Sequence, residues 1–381
     1  MRIAQLSPLF ESVPPKLYGG TERIVHYLTE ELVRQGHQVT LFASGDSKTS
    51  AELVPGWDFA LRLGNVSDPL AHHLLMVEKF FQRSGDFDAI HSHLDYLPFP
   101  MIRRYPGVPV VTTLHGRLDL PELQPMYREF REIPVVSISG SQREPVAWAN
   151  WQGTVHHGLP PDLYRFHPKP GSYLAFLGRI SPEKRPDLAI SIAVRSGMPL
   201  KIAAKVDAPD REYFRTHIEP LLSHPLIEFM GEICEERKNE FLGNALALLF
   251  PVDWPEPFGL VMIEAMACGT PVIALRRGSV PEVLREGVSG FIVEDEEEAV
   301  TAVAAVAMLD RAACRAHFEE NFTVKRMADD YQRIYASLTH SDGRGDGRID
   351  NGRGHLLHHG RILPGRKTEP GPEARRNLRR F

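Results

Sequence analysis

One segment in the second half of the chain constrains the fold most, because it predicts a strand, a turn and a helix in direct succession. The apolar run at residues 246–250 predicts a buried strand. Two prolines then break the strand and leave Glu256 in a loop. A helix is expected from Gly259 or the residue before it, with Glu264 on its second turn, and Gly269 ends it. The segment therefore places two carboxylates beside the start of a helix.

The chemistry of this segment suits a phosphorylated sugar. A helix start offers free N–H groups and the positive end of the helix dipole, which attract a phosphate. An ionised carboxylate only accepts hydrogen bonds, and a sugar or a ribose presents hydroxyl donors. Glu256 and Glu264 could therefore bind a sugar and a ribose on either side of a diphosphate. Spacing alone is equally compatible with two surface glutamates on an ordinary strand, turn and helix.

The first half of the chain predicts a parallel sheet. Residues 3–6 and 38–43 predict strands, and the apolar periodicity between them predicts a helix capped by Thr21. Strand, helix and strand at these lengths form a βαβ unit, whose strands are parallel. Gly19 and Gly20 lie between the first strand and the helix, at the edge where open α/β sheets bind ligands. They would let the backbone approach a phosphate or a sugar, although a flexible turn also explains them.

Two further predicted strands, at residues 88–93 and 110–114, end in polar side chains. His93 and Asp95 lie at the carboxyl end of the first strand, and His115 follows the second. A histidine at this edge is well placed to meet a ligand, and position alone equally allows a hydrogen-bonded structural histidine.

Basic side chains surround the predicted start of another helix. The strand predicted at residues 173–177 is followed by Arg179, by the good N-cap Ser181, and by Lys184 and Arg185. Positive charge opposes the helix dipole at this end, and a bound diphosphate would offset the mismatch. The alternative interpretation is a solvated basic patch.

Composition excludes several classes of protein. The 381 residues are enough for two domains, and the formal net charge of -5 argues against a nucleic-acid partner. Three widely spaced cysteines, Cys234, Cys268 and Cys314, fit a reducing compartment and neither a disulfide framework nor a zinc site. The chain opens on a predicted strand rather than a signal peptide, and no predicted helix is long and apolar enough for a bilayer. We therefore expect a cytoplasmic protein.

The last part of the sequence, residues 341–381, predicts a disordered basic tail. It is rich in Gly, Arg and Pro, shows no apolar periodicity, and has ten Lys or Arg against five Asp or Glu. A membrane-surface role for this tail is an alternative that we do not predict, because its charges are diluted by glycine and lack an apolar face.

Several motifs together resemble the retaining glycosyltransferases of family 4, which have the GT-B fold. Glu256 and Glu264 match the E-x7-E signature of that family. A G-G-x-E loop, a T-x-H histidine and a G-R-x-x-x-x-K motif are matched at Gly19, Gly20 and Glu22, at His115, and at Gly178, Arg179 and Lys184. One departure is Ser279, which stands where the family's G-G-x-x-E turn has its second glycine.

The resemblance implies an α/β protein of the GT-B fold, with two doubly wound Rossmann-like domains that face each other across a cleft. We expect an N-terminal, acceptor-side domain at residues 1–165 and a C-terminal nucleotide-sugar-binding domain at residues 172–340. The last helices could pack back on the first domain. The resemblance also identifies residues 155–160 with the closing strand of the first domain.

The resemblance further implies a metal-independent hexosyltransferase that retains the anomeric configuration and needs no cofactor. The donor would be a nucleotide-diphosphate sugar, with a UDP-sugar favoured and a GDP- or ADP-sugar as the alternative, and the acceptor an unknown hydroxyl compound. The residues implied as catalytic are His115 and Glu256. Those implied to bind the donor diphosphate are Arg179, Lys184 and Gly20. Those implied to bind the donor sugar and nucleotide are Glu256, Phe258, Gly259, Leu260 and Glu264. On the acceptor side we expect Gly19, His93 and Asp95.

Two other functions fit the same kind of fold. A sugar-nucleotide isomerase or epimerase would convert the donor without an acceptor, and a non-catalytic binder of nucleotide sugars would turn nothing over. The E-x7-E match disfavours both. The sequence leaves open the base, the transferred sugar, the acceptor and the oligomeric state.

Overall fold

The computed structural model describes residues 1–17, 19–62, 64 and 66–341, and these residues form two parallel β-sheets flanked by helices. Strands β1 to β7 of the first sheet are Arg2–Leu6, Gln38–Ser44, Glu52–Trp57, Ala89–Ser92, Val110–Thr113, Val135–Ser137 and Trp151–Thr154. Strands β8 to β13 of the second are Leu174–Arg179, Leu200–Lys205, Ile227–Gly231, Ala247–Phe250, Val272–Leu275 and Gly290–Val293.

Helices lie between most successive strands and after the last one. Helices α1 to α5 are Gly20–Arg34, Pro69–Phe81, Phe99–Arg104, Leu123–Glu129 and Gly140–Arg143. Helices α6 to α13 are Pro186–Ser196, Arg211–Tyr213, Glu235–Gly243, Leu260–Ala267, Val280–Val283, Glu296–Ala305, Arg311–Asn321 and Val324–Ser341. Within the described part of the chain, no helix combines the length and the hydropathy of a membrane span.

In both sheets the strand order reverses beside the first strand. The first sheet runs β3-β2-β1-β4-β5-β6-β7, and the second runs β10-β9-β8-β11-β12-β13. Each sheet is therefore doubly wound, with a topological switch point between β1 and β4 in the first and between β8 and β11 in the second. The prediction of two doubly wound Rossmann-like domains is confirmed, and both sheets belong to the compact unit Met1–Gly343.

The central strands of the second sheet are apolar because they are buried. β11 and β12 are buried along their whole length, as strands of a parallel sheet covered on both faces must be. Helix α9, between them in the chain, buries six of its residues, from Met262 to Ala267, against the sheet and neighbouring helices. This rigid packing fixes the position of the loop that precedes α9.

Three local predictions were wrong, and one strand was missed. Ser181 does not cap an α-helix, because a short 3-10 turn, Pro182–Lys184, follows it and α6 begins only at Pro186. Helix α1 begins at Gly20, so Thr21 lies inside the helix and does not cap it. The first sheet closes with β7, and residues 155–160 instead leave the sheet and approach the last helices, where Leu159 bridges to Thr323. Strand β3 was not predicted, because Pro55 interrupts its pattern; proline is tolerated there because β3 is the edge strand.

The last helix crosses back to the first sheet. Helix α13 packs against α1 and β4, and its Tyr331 and Tyr335 are fully buried. Their hydroxyls contact Thr113 and His91 of the first sheet at 2.9 and 2.7 Å. The predicted tail lies, from residue 342 onward, outside the described residues.

Candidate active site

A cavity of about 890 Å³ lies at the carboxyl edges of both sheets. Its walls come from the segments that follow β1, β4 and β5 in the first sheet and β8 and β11 in the second, so both switch points open into it. Of the predicted site residues, all except Arg179 line the cavity: Gly19, Gly20, His93, Asp95, His115, Lys184, Glu256, Phe258, Gly259, Leu260 and Glu264. The fold thus brings together residues that are far apart in the sequence; Gly19 and Glu264 are separated by 245 positions.

Lys184 and Glu256 form an ion pair in this cavity. The Lys184 Nζ contacts Glu256 Oε2, and the same oxygen accepts a hydrogen bond from Trp254 Nε1 at 2.8 Å. The ammonium also lies 5.2 Å from the centre of the Trp254 ring, a cation–π distance. A cation for phosphate and an anion for hydroxyl groups therefore stand side by side. Trp254 was not predicted, because nothing in the sequence indicates which way its ring turns.

Glu264 is also held by a cation. Its Oε1 accepts from Lys238 Nζ at 2.7 Å, and Lys238 lies 3.1 Å from Glu235, which pairs with Arg23 at 2.5 Å. These alternating charges run from α9 through α8 to α1. Lys238 and Arg23 line the cavity and were not predicted, since their pairs with Glu264 and Glu235 join separate segments of the chain.

Arg179 lies beside three carboxylates. Its guanidinium contacts Glu183 and lies 3.7 Å from Asp210 and 3.9 Å from Asp207. It is not among the residues that line the cavity. These carboxylates compete for its charge, so Lys184 is the cation of the G-R-x-x-x-x-K motif that faces the cavity directly.

The start of α9 lets a ligand approach its backbone closely. Gly259 precedes the helix with a φ of 80°, and no side chain caps the first N–H groups, which leaves them for an anion. The loop before it is held by Ser279, whose N–H donates to Glu256 O at 3.0 Å and whose hydroxyl donates to Phe258 O at 2.9 Å. The serine that departs from the family's second glycine therefore adds a hydrogen bond to this loop.

Histidine rings line the wall formed by the first sheet. His93 Nδ1 and His115 Nε2 lie 2.9 Å apart, and the ring of His115 stacks on His157 with centroids 5.4 Å apart. Burial lowers the pKa of His115 to about 3 and holds the pKa values of His93 and His157 well below the ordinary value. The rings are therefore neutral near pH 7. His157 was not predicted as a site residue, although its place after the last strand of the sheet could have indicated it.

Two carboxyl groups of the first half also border the cavity. Asp95, with a φ of 47°, accepts a hydrogen bond from the His115 backbone N–H at 3.3 Å, and burial raises its pKa to about 6. Glu22 is 5% exposed, and burial raises its pKa to about 7. Carboxyl groups whose pKa values lie this close to 7 can exchange protons near pH 7.

Comparisons with known proteins agree with this geometry. The model of "Glycosyltransferase Family 4" matches residues 18–180, and that of "Glycosyl transferases group 1" matches residues 165–322. A phosphatidyl-myo-inositol mannosyltransferase of Mycobacterium leprae is 27% identical over 350 residues, which cover 84% of this chain and 90% of that protein. A D-inositol 3-phosphate glycosyltransferase of Acidothermus cellulolyticus is 26% identical over 356 residues, covering 77% of this chain and 78% of that protein.

Solved structures resemble the chain over most of its length. AviGT4, a glycosyltransferase of avilamycin A biosynthesis, superposes with a TM-score of 0.67 at 22% identity and covers 89% of this chain and 98% of its own. HepE of Anabaena in complex with UDP-glucose gives a TM-score of 0.65 at 19% identity, covering 89% and 100%. At these identities the likeness concerns the fold. Together with the two family models, which span residues 18–322, it shows that the chain belongs to the group 1 glycosyltransferases, family 4, with the GT-B fold.

Proposed function

We propose that this glycosyltransferase moves a sugar from a nucleotide-diphosphate donor, a UDP-sugar being favoured, to a hydroxyl acceptor with retention of configuration. The observation that carries the proposal is the part of the cavity formed by the second half of the chain, which we call the donor half. There Lys184 and the uncapped start of α9 suit phosphate, and the carboxylates of Glu256 and Glu264 suit the hydroxyl groups on either side of it.

The reaction breaks the bond between the anomeric carbon and the diphosphate oxygen. Lys184 and the N–H groups at the start of α9 stabilise the negative charge that develops on the departing diphosphate. Glu256 orients the sugar through its hydroxyl groups, and Glu264 holds the ribose. The acceptor oxygen bonds to the anomeric carbon from the face that the diphosphate leaves, and the acceptor proton passes to the leaving group. His115 would contact the sugar from the other side of the cavity.

We also propose that this reaction needs no metal ion, because protein cations neutralise the leaving group. Lys184 is in position for this role. Arg179 would join it by exchanging Glu183, Asp207 and Asp210 for the diphosphate when the donor binds. Full transfer activity after treatment with a chelator would support this, and restoration of a lost activity by Mg²⁺ or Mn²⁺ would contradict it.

The acceptor side is proposed to lie on the first sheet, around Gly19, His93 and Asp95. Two of the relatives are named for action on phosphatidyl-myo-inositol and D-inositol 3-phosphate. A polyol that carries a phosphate is therefore the first acceptor class to assay.

The donor half is tested by calorimetric binding of UDP, GDP and ADP to the wild type and to Lys184→Ala. We expect one nucleotide to bind in the wild type and to lose most of its affinity in the variant. Lys201→Ala is the matched control, because Lys201 lies in the same half of the chain but pairs with Glu228 at 3.1 Å, outside the cavity. If none of the three nucleotides binds, the proposal fails.

The reaction is tested by product analysis with the matching nucleotide sugar. A transferase forms a glycoside only when an acceptor is present, and the anomeric configuration of that product, read by NMR, decides retention. Conversion of the donor alone would indicate an isomerase or epimerase, and binding without any turnover would indicate a non-catalytic binder.

A further inference from the structure

A chain of hydrogen bonds runs from the first strand to His115. Gln5, in the middle of β1, places its Oε1 2.9 Å from His93 Nε2. The other ring nitrogen of His93, Nδ1, lies 2.9 Å from His115 Nε2. Gln5 and His93 are 0% and 2% exposed, so water does not compete for these bonds. We call Gln5, His93 and His115 the imidazole chain.

The proton positions in the imidazole chain follow from its first member. An amide oxygen only accepts hydrogen bonds, so His93 Nε2 carries a proton and donates it to Gln5. A neutral imidazole has a single N–H, and burial keeps the pKa of His93 well below its ordinary value. His93 Nδ1 must therefore accept, and His115 Nε2 must carry the proton that it accepts.

One ring atom of His115 then remains for a ligand. The ring lines the cavity, and its plane is fixed by the stack on His157, at 18° between the rings. Within the described residues, the His115 Nδ1 has no hydrogen-bond partner. Since the proton of this neutral ring is on Nε2, Nδ1 can accept a hydrogen bond but cannot donate one.

We propose that Gln5 and His93 are positioning residues that hold His115 in the Nε2–H tautomer, so that its Nδ1 accepts a hydrogen bond from a hydroxyl group of the transferred sugar. This inference rests on the proposed function, because it assigns the chemical role of His115 in that site. It makes His115 a fixed acceptor that selects a hydroxylated sugar, rather than a general acid.

The orientation of Gln5 is set by the last helix. Gln5 Nε2 lies 3.3 Å from the hydroxyl of Tyr335, which also lies 2.7 Å from His91 Nδ1. With its amide nitrogen directed at Tyr335, Gln5 presents its oxygen to His93. Tyr331, one turn away on the same helix, is equally buried, and its hydroxyl contacts Thr113 at 2.9 Å rather than any member of the imidazole chain, so it offers a matched control.

The tautomer of His115 can be measured directly in the full-length chain labelled with ¹⁵N-histidine. Protonated and unprotonated ring nitrogens differ widely in ¹⁵N chemical shift, and the signals of His115 are identified by their loss in His115→Gln. We expect the wild type to show the Nε2–H tautomer alone. An Nδ1–H tautomer would overturn the proposal, and this result depends neither on activity nor on the folding of a Gln5 variant.

Gln5→Met tests the cause, because it nearly preserves volume and removes the acceptor for His93. We expect a second tautomer of His115 to appear and kcat to fall about tenfold, the loss of one hydrogen bond in the transition state. The affinity for the nucleoside diphosphate should be retained, because its ligands are on the second sheet. Tyr331→Phe should leave the tautomer unchanged and kcat close to the wild-type value.

Equal losses of kcat in Gln5→Met and Tyr331→Phe, with the tautomer unchanged in both, would mean that Gln5 has only a structural role and would overturn the proposal. A wild type that transfers no sugar would instead contradict the proposed function. In that case the tautomer measurement still decides whether Gln5 and His93 hold His115 in the Nε2–H form.

Discussion

Glu264 is 3% exposed, and its carboxylate is held by Lys238 2.7 Å away. If it binds the ribose, Glu264→Gln should weaken binding of the nucleoside diphosphate about tenfold, because a hydrogen bond to a charged acceptor is replaced by a weaker one. The same variant should bind the analogue that lacks both ribose hydroxyl groups as tightly as the wild type does. Calorimetry with the two nucleotides on the two proteins measures this coupling. An equal loss with both nucleotides would remove Glu264 from the ribose site.

Glu22 makes stability depend on pH in a direction that can be worked out. Its ordinary pKa is 4.5, and burial raises it to about 7 in the folded chain. Stability that is fully present below pH 4.5 is therefore lost as the pH rises through about 7, and at 1.36 kcal/mol per pH unit the loss approaches about 3 kcal/mol. Replacing the carboxyl group by a neutral amide removes this loss.

We therefore expect the free energy of unfolding of Glu22→Gln to rise, relative to that of the wild type, by about 2–3 kcal/mol from pH 5 to pH 8. Urea unfolding of both proteins at the two pH values measures it. Glu122→Gln, which changes an exposed glutamate, is the control for the loss of one carboxyl group. A difference between Glu22→Gln and the wild type that is the same at both pH values would contradict the assignment.

The turn before α10 supports the loop that carries Glu256. Gly278 has a φ of 52°, and a Cβ there would overlap the backbone N and O of Glu256. Gly278→Ala should therefore destabilise the fold by about 2–4 kcal/mol, the sum of left-handed strain and overpacking, and should weaken nucleotide-sugar binding as Glu256 shifts.

Gly287→Ala is the matched control for that substitution. Its φ is 69°, and a Cβ there meets nothing within 4 Å, so only the left-handed strain of about 1–2 kcal/mol is expected. Chemical denaturation and binding of the nucleotide sugar compare the two variants. If Gly278→Ala costs no more than Gly287→Ala and binds the donor normally, the turn does not support the loop.

The elements that the sequence predicts well are those whose signals are local. The step from β11 into α9 is marked by an apolar run, two prolines and two glycines, all within residues 246–269. The structure has the strand at Ala247–Phe250 and the helix at Leu260–Ala267. β3 carries a proline that only its edge position explains, and that position depends on the pairing of the whole sheet.

The residues of the candidate site also differ in whether the sequence could predict them. The resemblance implied that Lys184, Glu256 and His115 share one site, and the structure has all three on the wall of one cavity, at the carboxyl edges of parallel strands. The acidic partners of Arg179 and the charges around Glu264 come from other segments of the chain. Such long-range pairs leave no periodic or local signal in the sequence, so they were not predicted.

Side chains from the second half of the chain contact segments of the first half at two places. Trp254, on the loop before α9, lies under the guanidinium of Arg117 at 5.1 Å. Glu282 accepts hydrogen bonds from the backbone N–H groups of Gly140 and Ser141, at 2.6 and 2.8 Å, and lies 3.3 Å from His156 Nε2. These contacts hold the His115 wall close to the donor half of the cavity.

Glu282→Ala should therefore separate nucleotide binding from transfer. The proposed nucleotide ligands lie in the second half of the chain, so the affinity for the nucleoside diphosphate should be retained, whereas kcat/KM for transfer should fall about 10- to 100-fold because His115 is displaced. Glu286→Ala is the matched control, since Glu286 also accepts from a backbone N–H, that of Ile292 at 2.7 Å, within the second half. Small-angle scattering should show a larger radius of gyration only for Glu282→Ala. Unchanged transfer and unchanged scattering would mean that closure of the cavity does not depend on Glu282, and that the remaining contacts, such as that of Arg117 with Trp254, are sufficient to hold the two sheets together.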